Sequence, residues 1–294
     1  MDKKGLTISF IIEAESANYG EGIGNVSSLK KLTRSQGESY TYISRQALRY
    51  NIINQCGYDT TKLSLDKEVI QYAPDAHIDE YPEIDFFGYM KTLKGEDSKT
   101  RSAVVRLSNA IALEPFSLDL DFLSNKGLLD RYNMQNENKK KGSNLAQSEI
   151  HKSYYTYTIT IDLDKIGIDK VENIEIDNSE KSNRVCNLLD TIKFLYRDIR
   201  GRRENLSPIL AIGGVYNIKN PFFHNRLILK DGNFDIDTIR NIYTYDEEVE
   251  NKTKVGVIES KFNNGYDIKE KLNAKKIGEF FEEIKKEVKD YYIK

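Results

Sequence analysis

The run Leu6-Thr7-Ile8-Ser9-Phe10-Ile11-Ile12 limits the fold more than any other stretch of the chain. It is rich in β-branched residues and apolar nearly throughout, so it reads as a strand covered on both faces, in the middle of a sheet. It is also far short of the ~20 apolar residues that cross a bilayer. A helix is expected over about Tyr42–Asn54, with Ile43, Ala47 and Tyr50 marking one side. Arg45 and Arg49 fall nearly opposite, and Leu48 and Ile52 flank the arginine side, so packing on more than one face is expected. Ala103–Leu113 reads as a returning strand. Tyr154–Leu163 alternates aromatic residues or Ile with Thr at period two, a second clear strand.

Further along, Leu188, Ile192, Leu195 and Ile199 form a helical stripe, with Gly201 placed to end that helix in the left-handed conformation. Pro208–Val215 and the short Arg226–Leu229 read as strands. A last helix runs from Ala274 to about Tyr291 and buries Ile277, Phe280, Phe281, Ile284 and Val288. The resulting order, β-α-β-β-α-β, is the ferredoxin-like pattern that RNA-recognition domains share. The expected class is therefore α+β, one elaborated domain, since core elements spread over the whole chain. Between them, Asp59–Thr100 carries ten acids against five lysines and is broken by Pro74 and Pro82, which marks an excursion from the core. Asn133–Asn144 is polar and of low complexity, expected to be a mobile loop.

Forty-four basic residues against 46 acidic ones leave a net charge of −2, so any nucleic-acid surface must come from local segregation. Cys56 and Cys186 are too few for a disulfide framework or a cysteine zinc site. They read as reduced thiols, which fits a cytosolic protein, and no small-residue cleavage site follows the first lysines. His77, His151 and His224 stand far apart without metal-ligand spacing, and neither a nucleophile elbow nor a P-loop occurs. No pair of carboxylates is singled out by spacing. Neither a cofactor nor an enzymatic reaction is supported.

The stretch Asn18–Arg49 is the richest in binding chemistry. Lys30, Lys31, Arg34, Arg45 and Arg49 are interleaved with Tyr19, Tyr40 and Tyr42. Asn18, Asn25, Ser35, Gln36 and Ser44 add amide and hydroxyl groups, and Gly20 and Gly37 allow close backbone approach. A phosphodiester chain needs this mixture of charge, backbone N–H groups and stacking faces. The alternative is a solvated loop leading into a helix. Gly20-x-Gly22-x-Gly24 also resembles a dinucleotide-binding turn, but Asn25 stands where the third glycine belongs and the helix comes too late. A second basic stretch, Lys193–Arg203, holds Lys193, Arg197, Arg200, Arg202 and Arg203 against Asp198. Its Arg200-Gly201-Arg202-Arg203 turn would suit a phosphate; the alternative for part of the charge is to complement the helix C-terminus. Arg101 and Arg106 lie where the acidic excursion rejoins the core. Tyr154, Tyr155 and Tyr157 read as core ahead of stacking platforms, and Gly213-Gly214 as a bulge or close backbone approach.

Ser35-Gln36-Gly37, the block Tyr42-Ile43-Ser44-Arg45-Gln46-Ala47-Leu48-Arg49-Tyr50, Arg106–Pro115 and the Arg200–Asn205 turn together resemble Cas7 proteins of the Cst2/DevR branch, from type I-B CRISPR systems. The resemblance runs from the first strand to about Asn225. It implies an RRM-like palm with inserted finger and thumb regions: a core of about 5–56, 101–115 and 152–230, a finger-like insertion at 59–100 and a C-terminal helix within 270–294. It further implies a non-catalytic backbone subunit of the Cascade surveillance effector. Such a subunit polymerises along a CRISPR RNA and leaves the bases free to pair with target DNA. The implied partners are other Cas7 copies, Cas5, Cas6, a Cas8-type large subunit and, later, Cas3. Arg34, Ser35, Gln36, Arg45 and Arg49 then become guide-backbone contacts, with Arg202 and Arg203 behind them. An RRM-like RNA-processing endonuclease, as in Cas6, is the alternative within the same systems.

Overall fold

The apolar N-terminal run becomes β1 (Gly5–Ala14), paired on both sides as its composition requires. The computed structural model describes residues 3–15, 17–20, 22, 25–34, 37–92, 98–136, 141–142 and 145–293. With β1, the strands β2 (Lys31–Thr33), β3 (Ser39–Ile43), β4 (Val105–Leu107), β5 (Ala110–Ala112), β6 (Ser153–Asp162), β7 (Leu210–Tyr216) and β8 (Lys254–Val257) build one sheet. Its order is β8-β7-β1-β6-β5-β3-β2, with β4 also paired to β6, and every pairing is antiparallel. Three helices matter most for its cover: α1 (Arg45–Cys56), α2 (Asn178–Lys193) and α3 (Ile277–Tyr292). In chain order β1, α1, β4 with β5, β6, α2 and β7 form a β-α-β-β-α-β run, and its strands lie fourth, first, third, second across the sheet.

The alternation along β1 divides the core in two. Leu6, Ile8, Phe10 and Ile12 pack with Tyr155, Tyr157 and Ile159 of β6 beneath Leu48 and Ile52 of α1, Leu188 and Ile192 of α2, and Phe280, Phe281 and Ile284 of α3. Ile11 points the other way, into a second core with Leu210, Ile212, Phe223, Phe234, Ile239, Val249, Phe262 and Ile268. That second layer comes from residues beyond β7, in three short helices (Ile236–Tyr243, Glu247–Lys252, Gly265–Lys271) around β8. It covers the sheet face that an RNA-recognition domain leaves open. His224 Nδ1 lies 3.3 Å from Thr158 Oγ1, and Lys261 pairs with Glu13 at 2.7 Å. At Gly213 any side chain would strike the Thr7 carbonyl, the close backbone approach expected there.

The acidic excursion has structure of its own. Hairpins Leu63–Asp66/Val69–Tyr72 and Tyr89–Lys91/Lys99–Arg101 flank a short helix, Pro82–Phe87, around a small core of Ala73, Ala76, Ile78, Tyr81, Ile84 and Tyr89. Asp85 anchors it to the main body. This carboxylate is 0 % exposed and receives Arg101 at 2.7 Å, Arg184 of α2 at 3.2 Å and the Gly167 N–H at 2.9 Å. Burial pushes the Asp85 carboxyl up, and the two guanidinium groups with the Gly167 N–H offset only part of that rise. A further unit projects from the sheet: strands Asp119–Ser124 and Leu145–Ile150 pair antiparallel, Val26–Ser27 joins the second in parallel, and helix Lys126–Gln135 leads off the first. This unit is called the arm below.

Several sequence expectations need correction. The α1 helix starts at Arg45 because Ser44 Oγ caps it, accepting from the Ala47 N–H at 3.3 Å. Its buried side is Leu48, Ile52 and Ile53, while Tyr50 is 70 % exposed and Ile43 belongs to β3. The stripe through Leu195 and Ile199 is not one helix. Helix α2 stops at Lys193, and Tyr196–Ile199 turns back on Arg202–Asn205 as a hairpin. Arg200 (φ 49°) and Gly201 (φ 76°) are its two left-handed turn residues, a type I′ arrangement, so Gly201 serves the hairpin instead of a helix end. Ala103–Leu113 breaks into β4 and β5. Of Arg226–Leu229 only Leu229 is in a strand, and Asn133–Gln135 close the arm helix. Residues 137–140 and 143–144 of the expected loop lie outside the described residues.

Candidate nucleic-acid interface

Asn18 ties together three pieces of chain that each carry a cation or a donor. Its Oδ1 accepts the Ser44 N–H at 3.1 Å and its carbonyl accepts the Lys30 N–H at 2.6 Å. The Lys30 carbonyl in turn accepts the Tyr42 N–H at 3.1 Å. From across the sheet, Asn109 Oδ1 accepts the Arg45 N–H at 2.8 Å. The result is a shallow, mainly polar pocket of about 530 Å³, lined by Lys30, Tyr42, Ser44, Arg45, Gln46, Leu107, Ser108 and Asn109. Arg45 is exposed at the first turn of α1, where the helix dipole adds positive potential. Among the described residues neither the Lys30 ammonium nor the Arg45 guanidinium has an acidic partner. Two unneutralised cations beside backbone and amide donors are what a phosphodiester group needs.

Tyr19 extends this surface toward the Tyr196–Asn205 hairpin. The Arg200 guanidinium lies 3.8 Å from the centre of the Tyr19 ring, and Tyr19 Oη donates to the Glu149 carbonyl at 3.1 Å. The remaining arginines of the hairpin are met by carboxylates. Arg197 is buried and pairs with Glu204 at 2.6 Å, Arg202 pairs with Glu15, and Arg203 grips Asp198 with both arms at 2.8 and 2.9 Å. The Arg203 contact holds the Asp198 carboxyl below its ordinary range. The expected Arg-rich phosphate clamp is thus largely offset within the chain, and Arg200, exposed on Tyr19, is its one arginine with no carboxylate partner among the described residues.

Other candidates are dispersed. Lys31 pairs with Glu149 at 2.6 Å and lies over Phe116, fastening the arm to β2. Arg34 stacks on Tyr40 at 4.4 Å at the tip of the β2–β3 hairpin, where Gly37 takes φ 79°; Ser35 and Gln36 lie outside the described residues. Asn25 accepts the Gln147 N–H at 2.8 Å, and Gly20 donates to the Ser28 carbonyl at 2.8 Å. Gly20 therefore belongs to a small ladder and α1 begins far downstream of it, at Arg45, while Gly24 of the dinucleotide-like pattern lies outside the described residues. Arg49 donates to Glu83 at 3.0 Å and to Tyr72 Oη at 2.7 Å, above the Phe87 ring, so it faces the acidic insertion. Arg101 is enclosed with Asp85, its side chain 7 % exposed, and is withdrawn from any surface role. Arg106 holds Asp162 at 3.2 Å. Burial alone would raise the Asp162 carboxyl, but Arg106, Lys219 and Lys165 outweigh it and lower it. Tyr155 and Tyr157 are core, and Tyr154 stacks on Phe262. Gln46, Ser108 and Asn109 had no charge or aromatic signal to single them out; their only sequence cue is their place in the two resembling blocks.

Among the described residues no three His, Cys, Asp or Glu side chains are grouped to hold a metal, and no helix is long and apolar enough to cross a membrane. No curated protein sequence matches the chain. Solved chains that share its fold include the following two. One, from a CRISPR RNA-guided surveillance complex in a pre-nicking state, is 14% identical with a TM-score of 0.58, over 88% of this chain and 94% of that one. The other, from a CRISPR RNA-guided surveillance complex, is also 14% identical, with a TM-score of 0.54 over 88% and 91%. The family model described as CRISPR-associated negative auto-regulator DevR/Csa2 matches residues 6–233, well over half of the sequence. The chain belongs to this CRISPR-associated DevR/Csa2 family.

Proposed function

We propose that the protein is a non-catalytic backbone subunit of a type I-B CRISPR surveillance complex. It lies along the CRISPR RNA with further copies of itself and grips the RNA through its phosphates. The observation that carries this reading is the pocket where Lys30 and Arg45 converge, neither with an acidic partner among the described residues, lined otherwise by residues of two blocks that resemble Cas7. Family membership and the likeness to chains of surveillance complexes support it. The β-α-β-β-α-β run then serves as an RRM-like palm, and residues 59–100 as its finger-like insertion. Because the second core covers the open sheet face, RNA runs past the start of α1 and Tyr19 and avoids the sheet. Bases left free there pair with target DNA, so the protein holds shape while pairing reads sequence. Cas5, Cas6, a Cas8-type large subunit and Cas3 complete the assembly on this reading.

The test is co-expression with a CRISPR array and the neighbouring subunits. After a high-salt wash, the ratio of absorbance at 260 and 280 nm is read and any bound RNA is sequenced. Spacer-containing RNA of uniform length in a large complex is expected. A monomer free of nucleic acid, under conditions where the partners assemble, would overturn the reading. End-labelled RNA held by the purified complex should stay intact on incubation. Cleavage that survives removal of Cas6 would move the assignment to an endonuclease.

A further inference from the structure

Lys30 and Arg45 supply the charge of their pocket, and its neutral polar groups exceed what a phosphate can use. The Asn109 Oδ1 is spent on the Arg45 N–H at 2.8 Å, which fixes the amide and leaves its Nδ2 as a donor only. Ser108 Oγ is spent twice: it accepts the Thr158 N–H at 2.9 Å and donates to the Asn109 carbonyl at 3.0 Å. Ser44 Oγ caps α1. Three groups of the lining remain. Among the described residues Asn109 Nδ2, the Gln46 amide and the Tyr42 hydroxyl have no hydrogen-bond partner. Gln46 is exposed in the first turn of α1, and Asn109 is half-buried.

Gln46 Oε1 and Tyr42 Oη are acceptors, and a phosphodiester has no proton to give them. The ligand that fits both halves of the pocket carries a hydroxyl close to its phosphate. In RNA the 2′-hydroxyl stands on the carbon beside the one that bears the 3′ phosphate, and it both donates and accepts. We propose that this pocket recognises the ribose along with the phosphate. Lys30 and Arg45 take the phosphate oxygens, Asn109 Nδ2 donates to the 2′-oxygen, and Gln46 Oε1 accepts the 2′-hydroxyl proton. The inference deepens the RNA reading above and rests on it. It places the choice of RNA over DNA here, a choice that charge alone does not make because both backbones carry the same phosphates. A deoxyribose leaves the half-buried Asn109 donor without an acceptor, and losing a hydrogen bond of this kind lowers affinity about 3- to 10-fold.

Fluorescence anisotropy of the full chain with short labelled single strands of one sequence tests this, using RNA, DNA and 2′-fluoro RNA. The 2′-fluoro strand keeps the sugar shape of RNA and lacks the hydroxyl. RNA should bind about 3- to 10-fold more tightly than either of the other two. Asn109→Asp keeps an acceptor for the Arg45 N–H and removes the donor. Its new charge repels RNA and DNA alike, so the ratio of the two affinities is read, and that ratio should fall toward one. Gln46→Ala, at an exposed position, should lower the ratio by ~3-fold without touching the Asn109 side chain. Melting temperatures equal to wild type show that both variants fold. Lys30→Ala with Arg45→Ala should weaken every strand and leave the ratio unchanged. A 2′-fluoro strand that binds as tightly as RNA overturns the proposal, as does a wild-type ratio in either the Asn109 or the Gln46 variant. So does a preference for RNA that appears with oligo-U but not oligo-A, which would mean that a base edge is read. Equal binding of RNA and DNA by wild type removes this inference and leaves the functional reading standing, whereas failure to bind any strand removes both.

Discussion

Arg45 and Arg49 stand one turn apart on α1, and the molecule uses them in opposite ways. Spacing puts them on one helix face, yet Arg45 opens onto the shared pocket with Lys30, while Arg49 is taken up by Glu83, Tyr72 and Phe87 of the acidic insertion. Arg101 goes further in the same direction and is enclosed with Asp85 and Arg184. The helix pattern cannot separate these fates, because what decides them is which carboxylates the rest of the fold brings near. Acids in the insertion neutralise the cations on their side of α1, and nothing among the described residues does so at its first turn.

The largest break in this comparison comes from the internal side. Asp85→Ala leaves Arg101 and Arg184 buried without their counter-charge and should cost about 3–5 kcal/mol, read from urea unfolding. Limited proteolysis should then cut within 59–92 well before the sheet. An unfolding midpoint within error of wild type would mean that Asp85 does not anchor the insertion.

The next test is on the outward side. The double change Lys30→Ala with Arg45→Ala should weaken single-stranded RNA binding by ~10-fold or more and leave stability within about 0.5 kcal/mol. With two phosphate contacts gone, the slope of log affinity against log salt should become shallower by about 1.4. An unchanged slope would remove this pocket from the RNA path. Arg49→Ala sharpens the contrast: about 1 kcal/mol of stability lost with its ion pair and ring contact, and no change of salt slope. A slope change equal to that of Arg45→Ala would erase the distinction.

The sequence made much of the central architecture legible. β1, β6 and β7 announce themselves because they are apolar nearly throughout or alternate, and α3 because its stripe spans about three turns. What was not legible depended on pairing at a distance. Leu195 and Ile199 continue the α2 stripe in sequence, and only their hairpin partner, Arg202–Asn205, takes them out of the helix. Arg200 at a left-handed turn position gives no compositional signal. The arm strand Asp119–Ser124 opens on a short period-two alternation, Asp119-Leu120-Asp121-Phe122, but it is exposed on both faces, so the alternation marks no core face. The second core is built from helices of six to eight residues, too short to display a stripe. At the site, Lys30 and Arg45 were legible as cations in a donor-rich stretch. The engagement of Arg49 and Arg101 was not, since Glu83 and Asp85 sit in a segment whose acidity reads as solvated surface.

The smallest effect expected tests whether the same rule governs a titrating group at the base of the arm. His151 is buried there, its Nδ1 2.7 Å from Thr41 Oγ1 and its ring edge-on to Phe116. Burial lowers its pKa below the ordinary 6.5, against a smaller opposing pull from Glu114. Above that ordinary value the folded and unfolded chains both carry a neutral ring, and the full stability is present. As pH falls below it, the unfolded chain takes up a proton that the folded one resists, so stability declines until the folded pKa is passed. His224, also lowered by burial, adds to the decline in the same window. His151→Asn keeps a polar atom near the Nδ1 position but cannot titrate. Its unfolding free energy should therefore fall less steeply between pH 7.5 and 5.5 than that of wild type, whatever its absolute value. Equal slopes would mean that His151 is protonated as easily inside the fold as outside it, and that the base of the arm is wetter than its packing implies.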